Sequence, residues 1–586
     1  MSAAAALPRR RARAGARTGE SPSIPGGRAA LLFGALALAF AALAGRSVYL
    51  QWIDNAFLQE RGAARYSRDL ELPAHRGRIV DRNGELLAVS TPVKSLWAFP
   101  AQLEMSDAEA AKLARVLDLK PASLKARVGA NDDFVYVAKL VSPEVAERAL
   151  ALRIKGLNEE SAYRRFYPGG EVTSHVLGFT GDRDAGQEGI ELAQQGWLAG
   201  IPGSRRVIIN RRGEAVEDVA SIRRPQEGRD LALSLDSRLQ YLAFRELKAA
   251  VEANKAKAGG LVILDVHTGE ILALANWPTY NPNARERTSR ERMRNRALTD
   301  VFEPGSTLKP FAIAAALEAG AVRPETPIDT GGGTLTIGSN TIHDAHPAGT
   351  LTVEQVIQKS SNVGAAKIAL KLPAETLWRE LAEVGFGSAP GTGFPGEVSG
   401  RLRAAKSWKP IEQATISYGH GISVNLVQLA RAYTVFATGG ELVPATLMKT
   451  GAPVTGRQAM SRETALAVRR MLEMAVQPGG TAPRAQVAGY RVAGKTGTAH
   501  KLEGRGYAAD RYVSSFVGFA PVSDPRIVVA VMIDEPSAGR YYGGAVAAPV
   551  FSSVTGAALR LLGTPTDAPV DNVIVVPAED ELREET

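Results

Sequence analysis

An unbroken apolar stretch near the N-terminus divides this chain into two very unequal parts. Residues 29–45 are all apolar or small, and after Arg46 apolar and aromatic residues continue the stretch to Trp52. A helix that crosses a bilayer needs about 20 such residues, and arginine and tryptophan suit its interfacial ends. We therefore predict a transmembrane anchor over residues 29–52, with everything after it outside the cytoplasmic membrane.

The residues before this stretch indicate which way the anchor is inserted. Residues 1–28 contain six arginines and one acid, Glu20, which predicts a basic, disordered tail in the cytoplasm. The alternative is a cleaved signal peptide, because Ala42-Leu43-Ala44 resembles a cleavage site. An uncleaved anchor fits better, since the apolar region and the basic lead are both long for a signal peptide.

Charge and cysteine content exclude several classes of function. The net charge is +9, but residues 1–28 supply +5 of it, and the rest is spread over more than 550 residues. Such a distribution does not make a nucleic-acid groove. The chain has no cysteine, which excludes disulfides and thiolate zinc sites. His343 and His346 lack an evident third ligand, so we expect a solvated loop there, no metal and no cofactor.

Composition and pattern divide the remainder into three parts. These are a membrane-proximal region over residues 53–230, a C-terminal domain over 231–565 and an acidic tail over 566–586. In the membrane-proximal region, residues 78–88 are two apolar strands about an Asn-Gly turn, which predicts a hairpin. In the C-terminal domain, residues 261–274 predict another strand, turn and strand.

Further periodic segments predict the class of the C-terminal domain. Helices are expected over residues 306–320, 352–372 and 425–436, and strands over 488–500 and 512–534. Strands on both sides of a helical block predict an antiparallel sheet with helices packed against it. The whole chain is therefore expected to be an α+β multidomain protein with an N-terminal transmembrane helix.

Ser306 is the only serine followed three residues later by a lysine, Lys309. Residues at i and i+3 share one face of a helix, so the lysine amine can contact the serine hydroxyl and activate it as a nucleophile. The apolar segment from Pro310 to Gly320 predicts a helix that starts near Ser306. S-x-x-K alone is a weak signal, so the assignment of a serine acyl-transfer site depends on which other motifs accompany it.

Two later segments offer the other groups that a serine acyl-transfer site needs. Ser360-Ser361-Asn362 supplies a hydroxyl and an amide at S-x-N spacing. Residues 495–498, Lys-Thr-Gly-Thr, supply a cation and two hydroxyls on a predicted strand. Gly497 lacks a side chain, so a peptide substrate could lie along this strand as an added edge.

Both short motifs recur, and a rival reading exists. Ser423-Val424-Asn425 is a second S-x-N that the residues alone do not exclude, whereas Lys449-Thr450-Gly451 is followed by Ala-Pro and indicates a loop. Residues 489–496 match the phosphate-binding P-loop pattern. A P-loop must open a helix, however, and Gly-Thr-Ala after this lysine and threonine starts helices poorly.

In combination, S-x-x-K, S-x-N and K-T-G resemble the signature of penicillin-recognising serine acyl-enzymes. Residues 76–84 resemble the first pedestal motif of class B penicillin-binding proteins, residues 165–170 with 176–181 the second, and residues 186–191 the third. By this resemblance the chain is an elongated mixed α/β pedestal (dimerisation domain, residues 53–230) followed by a serine β-lactamase-like transpeptidase domain.

Residues 294–306 resemble the cell-division subgroup of that family, typified by penicillin-binding protein 3 (FtsI). The elongation subgroup usually has glycine, tyrosine and proline where this chain has Asp300, Phe302 and Glu303. In this family a Thr-Pro-type sequence is common where this chain has Asn425, and this difference creates the second S-x-N. The resemblance assigns Ser360, not Ser423, to the site.

The resemblance implies a role for each motif residue in peptidoglycan cross-linking by a serine-type D-Ala-D-Ala transpeptidase. Ser306 attacks the penultimate D-Ala carbonyl of a stem peptide, and Lys309 is its base. Ser360 and Lys495 relay a proton to the departing D-Ala, and Asn362 positions the substrate. The base needs a pKa below about 10.4, and burial beside a second cation would lower it.

The remaining motif residues are expected to bind substrate. Thr496 and Thr498, on either side of Gly497, bind the terminal carboxylate or its β-lactam mimic, and the N–H groups of Ser306 and Thr498 form the oxyanion hole. Two backbone donors are a large contribution, since losing one typically lowers the rate about 10²–10³-fold. The amine of a neighbouring stem peptide then attacks the acyl-enzyme.

The resemblance also implies partners and location. The partners are peptidoglycan stem peptides, β-lactams, a septal lipid II-polymerising glycosyltransferase (FtsW-like) and divisome regulators. The location is the inner membrane, single-pass, with the catalytic domain in the periplasm. The alternatives are an elongation-type class B transpeptidase and a catalytically silent division scaffold. A β-lactamase is disfavoured, because its E-x-x-L-N motif is missing.

Overall fold

The computed structural model describes residues 26–53, 67–130, 134–181, 184–209, 215–285, 288–504, 506–575 and 577. The expected disordered tail (residues 1–28) lies almost wholly outside these residues, as do residue 576 and residues 578–586 of the expected acidic tail (566–586). The chain divides into two units, one of residues 1–71 with 204–224 and one of residues 72–203 with 225–586.

The strands, in chain order, are β1 (Ser67–Leu72), β2 (Ile79–Val80), β3 (Leu86–Ala98), β4 (Val135–Val141), β5 (Leu157–Phe166), β6 (Gly203–Ile209), β7 (Ala215–Arg223), β8 (Leu231–Ala232), β9 (Ala258–Asp265), β10 (Ile271–Trp277), β11 (Pro327–Asp329), β12 (Thr334–Ile337), β13 (Asn340–His343), β14 (Thr350–Thr352), β15 (Glu441–Leu442), β16 (Arg457–Gln458), β17 (Ala493–Glu503), β18 (Gly506–Ala520) and β19 (Ile527–Asp534).

The α-helices are α1 (Gly26–Val48), α2 (Asp107–Val116), α3 (Pro121–Val128), α4 (Pro143–Leu150), α5 (Ser174–Leu177), α6 (Gly189–Ala193), α7 (Gln195–Leu198), α8 (Ser237–Ala253), α9 (Arg290–Met293), α10 (Arg296–Thr299), α11 (Lys309–Glu318), α12 (Val353–Lys359), α13 (Asn362–Ala369), α14 (Ala374–Glu383), α15 (Pro410–Ile416), α16 (Leu426–Thr438), α17 (Arg462–Met474), α18 (Gly543–Val546) and α19 (Ala548–Leu561).

The first unit contains the predicted membrane helix and a small sheet of strand order β1-β6-β7. Helix α1 runs on into a π-helical turn, Tyr49–Ile53, and residues Gly26–Trp52 together are long and apolar enough to cross a membrane. None of the α1 residues is buried. An apolar helix that nothing covers fits a bilayer environment, and it begins three residues before the expected position 29.

In the second unit, the membrane-proximal region is built on strands β4-β3-β2-β8, with β5 also paired to β3. The predicted hairpin is confirmed, since β2 and β3 pair antiparallel about a turn in which Gly84 adopts a φ of 91°. The Asp81 carboxylate accepts hydrogen bonds from the backbone N–H groups of Asn83 and Glu85 within this turn. A third N–H, from Ser237 in α8, ties the hairpin to the next domain.

The three sequence motifs of this region meet in one buried ion network. Glu191, in α6, accepts a hydrogen bond from Arg76 Nε at 2.7 Å and one from Arg165 Nε at 2.7 Å. All three side chains are at most 2% exposed. Arg76 also donates to the Gln195 side chain and Arg165 to Ser90 Oγ. Glu191 therefore pairs with two buried guanidinium groups at once and joins segments that are far apart in sequence.

The C-terminal domain contains a five-stranded antiparallel sheet of order β10-β9-β19-β18-β17, as expected. Alternate residues of β9 enter two different cores. Val262 and Leu264 pack with the helical block that includes α11 and α16, whereas Leu261 and Ile263 pack with α8 and α19. Because both faces of this sheet are covered, its central strands are continuous apolar runs rather than alternating ones.

Two helix predictions need correction. The segment expected as one helix over residues 352–372 is two helices, α12 and α13, with a break at Ser360 and Ser361. Ser360 adopts a left-handed conformation (φ 61°) as the C-cap of α12, and the Ser361 side chain caps α13 by accepting from Gly364 N–H. The helix expected from Ser306 onward begins with a 3₁₀ turn, Gly305–Leu308, before α11.

The first residues after position 565 are held against the C-terminal domain. The Gln486 side chain exchanges two hydrogen bonds with the backbone of Ile574, and the Asn572 side chain contacts the backbone of Gly489 and Tyr490. Asp567 accepts from Arg491 N–H. These residues of the expected acidic tail are therefore fixed to the domain by hydrogen bonds.

The buried ion network predicts unequal costs for two substitutions in the same region. Glu191→Gln leaves two buried guanidinium groups with insufficient compensation and should lower the free energy of unfolding by about 3–5 kcal/mol. Glu159→Gln breaks an ion pair with Lys94 whose side chains are 34% and 29% exposed. It should cost about 1 kcal/mol at most. Urea unfolding of the full chain in detergent measures both, and equal effects would contradict the assignment.

Candidate active site

The geometry around Ser306 starts from a tightly packed turn. Gly305 has a φ of 56°, which favours glycine, and its N–H donates to the Gly419 carbonyl. A Cβ on Gly419 would lie 2.1 Å from the Gly305 carbonyl oxygen, so the two backbones approach as closely as only glycine permits. The turn and helix α11 therefore fix Ser306 in place, with 5% of its surface exposed.

Lys309 opens α11 one turn after Ser306, and its fully buried amine lies between two serines. Its Nζ is 2.7 Å from Ser306 Oγ, 3.0 Å from Ser360 Oγ and 2.6 Å from the Ser360 carbonyl oxygen. The predicted contact between Ser306 and Lys309 is thus present. The break between α12 and α13 brings Ser360 to the same amine.

The S-x-N turn is held by a residue that the sequence did not point to. Asp344 accepts hydrogen bonds from Ser361 Oγ at 2.6 Å and from Val363 N–H at 2.9 Å. Asn362 donates to the carbonyl of His343 at 3.1 Å. The segment expected as a solvated loop around His343 therefore supports this turn. No local signal marks Asp344, because its partners are 17 and 19 residues away.

Strand β17 carries the K-T-G segment at the end of the sheet, next to the Ser306 turn. Lys495 is fully buried, and its Nζ donates to Thr496 Oγ1 at 2.9 Å and to Thr481 Oγ1 at 3.4 Å. Thr496 Oγ1 is 3.0 Å from Thr481 Oγ1, and Thr498 Oγ1 accepts from Gly543 N–H at 3.0 Å. Thr481 is a further contact that sequence reasoning missed.

The structure explains the glycine at position 497 by packing within the protein, whereas the sequence suggested room for a peptide substrate. A Cβ at this position would lie 2.6 Å from the Pro304 carbonyl oxygen and 2.9 Å from the Thr307 side chain. The missing side chain therefore admits the protein's own serine turn. Substituting Gly497 would separate β17 from Ser306 whatever the substrate does.

The structure distinguishes the repeated motifs. Asn425 is the N-cap of α16 and forms a capping box with Gln428, so this amide stabilises a helix end. Thr450 and Gly451 lie in a loop whose N–H groups donate to Glu270. Lys495 lies within a β-strand rather than at a helix start, which excludes the P-loop reading. No group of three potential metal-ligating side chains occurs among the described residues.

The described contacts thus bring Ser306, Lys309 and Ser360 into direct contact and pack Gly497 against the same turn. Lys495, Thr496 and Thr498 lie on the strand beside it, and Asn362 lies two residues after Ser360, at the start of α13. Such an arrangement can generate a serine nucleophile next to a buried amine, and β17 is the last strand of its sheet among the described strands.

Comparison with known proteins matches two family models to this chain. The family described as "Penicillin binding protein transpeptidase domain" matches residues 259–556, and "Penicillin-binding Protein dimerisation domain" matches residues 71–233. The chain is 43% identical to the probable peptidoglycan D,D-transpeptidase PbpC of Pseudomonas aeruginosa, over 90% of this chain and 94% of that protein. It is 42% identical to peptidoglycan D,D-transpeptidase FtsI of Escherichia coli K12, over 92% and 93%.

A solved structure extends the likeness to three dimensions. The transpeptidase domain of Burkholderia pseudomallei penicillin-binding protein 3 is 51% identical, with a TM-score of 0.54, and the match covers 57% of this chain and 98% of that domain. Both domain matches and the relatives, which are similar over nearly their whole lengths, indicate the same family. The chain therefore belongs to the class B penicillin-binding proteins and is one of their FtsI-like members.

Proposed function

We propose that this chain is a peptidoglycan D,D-transpeptidase of cell division that acts through a Ser306 acyl-enzyme and is inhibited by β-lactams. Relatives named as peptidoglycan D,D-transpeptidases support the reaction. The observation that carries the assignment of the nucleophile is the buried Lys309 amine, 2.7 Å from Ser306 Oγ and 3.0 Å from Ser360 Oγ.

Acylation begins with Lys309 as the base. Burial disfavours the protonated form of an amine, so Lys309 can accept the Ser306 proton as Oγ attacks the penultimate D-Ala carbonyl. The bond from that carbonyl carbon to the terminal D-Ala nitrogen then breaks. Ser360, within reach of Lys309, passes a proton to the departing amine with the assistance of Lys495.

Strand β17 binds the donor peptide in this proposal. Thr496 and Thr498 bind its terminal carboxylate, and Asn362 orients the peptide from the opposite side. The N–H groups of Ser306 and Thr498 stabilise the oxyanion. The close packing of Gly497 and Gly305 against their neighbours supports this assignment, since it sets the separation between the strand and the serine turn.

Deacylation reverses the proton flow. The amine of an acceptor stem peptide attacks the ester carbonyl and gives up a proton to Lys309. The carbonyl–Oγ bond breaks, Ser306 Oγ regains a proton, and a new amide joins the two stems. A β-lactam follows the first step only, because its opened leaving group stays tethered and obstructs the acceptor.

The division setting gives the finer part of the proposal. Residues 1–28 lie in the cytoplasm, residues 29–52 cross the inner membrane once, and the pedestal and the transpeptidase domain (residues 53–230 and 231–565) lie in the periplasm. Arginines before the apolar helix support this orientation. The exposed surface of α1 is the contact for a lipid II-polymerising glycosyltransferase (FtsW-like), and divisome regulators bind the pedestal.

Penicillin labelling tests the nucleophile. We expect full-length Ser306→Ala to lose covalent labelling by a fluorescent penicillin, because it removes the proposed nucleophile, the hydroxyl 2.7 Å from the Lys309 amine. Ser423→Ala, in the second S-x-N, is the matched control and should label like wild type. Label retained by Ser306→Ala would contradict the assignment. A folded wild type without label would indicate a silent scaffold, and rapid loss of label a β-lactamase.

Replacing the anchor tests the membrane contact. A chain with residues 29–50 exchanged for an unrelated spanning helix should remain in the membrane and keep its penicillin labelling. It should lose co-purification with the septal polymerase and recruitment to the septum, since the specific helix surface is gone. Intact polymerase binding and recruitment would rule out α1 as the contact.

A further inference from the structure

A cavity of about 580 Å³ adjoins the candidate active site, and of the residues that line it only Asn362 has a role in the steps above. Its wall includes Asn362 and the residues Tyr418, His420 and Gly421. Asn362 lies two residues from Ser360, whose Oγ contacts Lys309. The neighbouring Gly419 packs directly on Gly305, next to Ser306. A peptide bound at Ser306 therefore has this cavity within reach.

Two charged side chains are found in the described lining of the cavity, and they differ in how many of their hydrogen-bonding atoms already have partners. Among the described lining residues, Arg403 is the one arginine or lysine and Glu412 the one carboxylate. Glu412 accepts from Lys409 N–H at 2.7 Å through one oxygen and lies 2.7 Å from Arg403 Nη1 through the other. Both of its oxygens therefore have partners, and the Lys409 contact caps α15 and fixes the carboxylate.

Arg403 retains donor capacity after this pairing. A guanidinium has five N–H donors, and the contact with Glu412 occupies Nη1. Arg403 Nη2 lies close to Gly421, 3.9 Å from the position that a Cβ there would take. The Arg403 side chain is 29% exposed, so a ligand in the cavity can reach it without dismantling the pair.

The remaining polar lining consists mainly of histidines and hydroxyl groups. His343, His420 and His500 face the cavity, and the hydroxyls of Thr415 and Tyr507 already donate to the Glu412 carbonyl and to Glu303. Glu303 lies next to these residues, is 5% exposed and accepts hydrogen bonds from Gly421 N–H and from the Tyr507 hydroxyl. Arg403 is therefore the guanidinium that a carboxylate in the cavity would meet.

We propose that this cavity binds a free carboxylate of the stem-peptide substrate, away from the D-Ala-D-Ala bond that reacts. Arg403 binds the carboxylate through its remaining N–H donors, and Glu412 positions the guanidinium. Charge-assisted pairs of this kind are the stronger hydrogen bonds in proteins, and arginine matches the two oxygens of a carboxylate. The inference rests on the proposed function and adds a substrate preference, for a carboxylate over a carboxamide on the peptide side chain.

The donor arm of the test uses the full-length protein in detergent and synthetic peptide thioester donors. Two donors differ only in a side-chain group, free carboxylate against carboxamide, and kcat/KM is measured for each. Wild type should prefer the carboxylate by roughly tenfold or more. Arg403→Gln should bring this ratio close to one, and Arg403→Lys should retain part of it. Arg401→Gln changes an exposed neighbour outside the cavity and should keep the wild-type ratio.

The acceptor arm distinguishes the two stems that could supply the carboxylate. The donor is held constant, and the yield of cross-linked product is compared for an amine acceptor with a free carboxylate and its carboxamide. Loss of preference in Arg403→Gln in one arm assigns the cavity to that stem.

Two results would overturn the inference. The first is turnover by wild type without a preference for carboxylate over carboxamide in either arm. The second is such a preference that survives in Arg403→Gln. Either would show that the cavity does not bind a carboxylate through Arg403. Absence of turnover with every donor in wild type would instead overturn the proposed function, and this inference with it.

Discussion

The contact between the Lys309 amine and the two serines is the constraint on which the rest of the domain depends. The 3₁₀ turn that leads into α11 sets the spacing between Ser306 and Lys309. The α12–α13 break supplies Ser360, and the sheet supplies the strand beside them. These segments approach each other so closely that some of their residues need a positive φ or the absence of a side chain. Gly305 and Ser360 adopt positive φ, and Gly497 admits the Pro304 carbonyl where a side chain would collide. Strained or glycine-only positions at a reactive site are expected where geometry must be held against relaxation.

Buried charge is handled differently in the two domains. In the membrane-proximal region, Glu191 lies between two guanidinium groups that cannot lose their protons, so compensation by a carboxylate is required. In the transpeptidase domain, the Lys309 contacts are hydroxyl and carbonyl oxygens, which can satisfy an amine that has lost its proton. The first arrangement stabilises a fold, whereas the second would keep the base of the proposed mechanism available.

Local periodicity explains what the sequence could predict. The Ser306–Lys309 contact follows from helix geometry, the hairpin from its Asn-Gly turn, and the central sheet from apolar runs bounded by turns. The break at Ser360 was missed because residues 352–372 have helix-forming composition, and a tertiary partner, Asp344, stabilises the interruption. The reason for Gly497 was also missed, since it depends on a carbonyl nearly two hundred residues away. The pairing of Arg76 and Arg165 with Glu191 is likewise a tertiary outcome that the separate motifs do not encode locally.

The second-order rate constant for acylation of Ser306 by a β-lactam tests the central claim most directly, when Lys309→Ala is compared with wild type. Removing a general base typically lowers a rate about 10²–10⁴-fold, and we expect a loss of that size with the fold intact by circular dichroism. Lys449→Ala removes the exposed lysine of the second K-T-G and should acylate at the wild-type rate. An unchanged rate in Lys309→Ala would show that another group activates Ser306, and the account would fail at its centre.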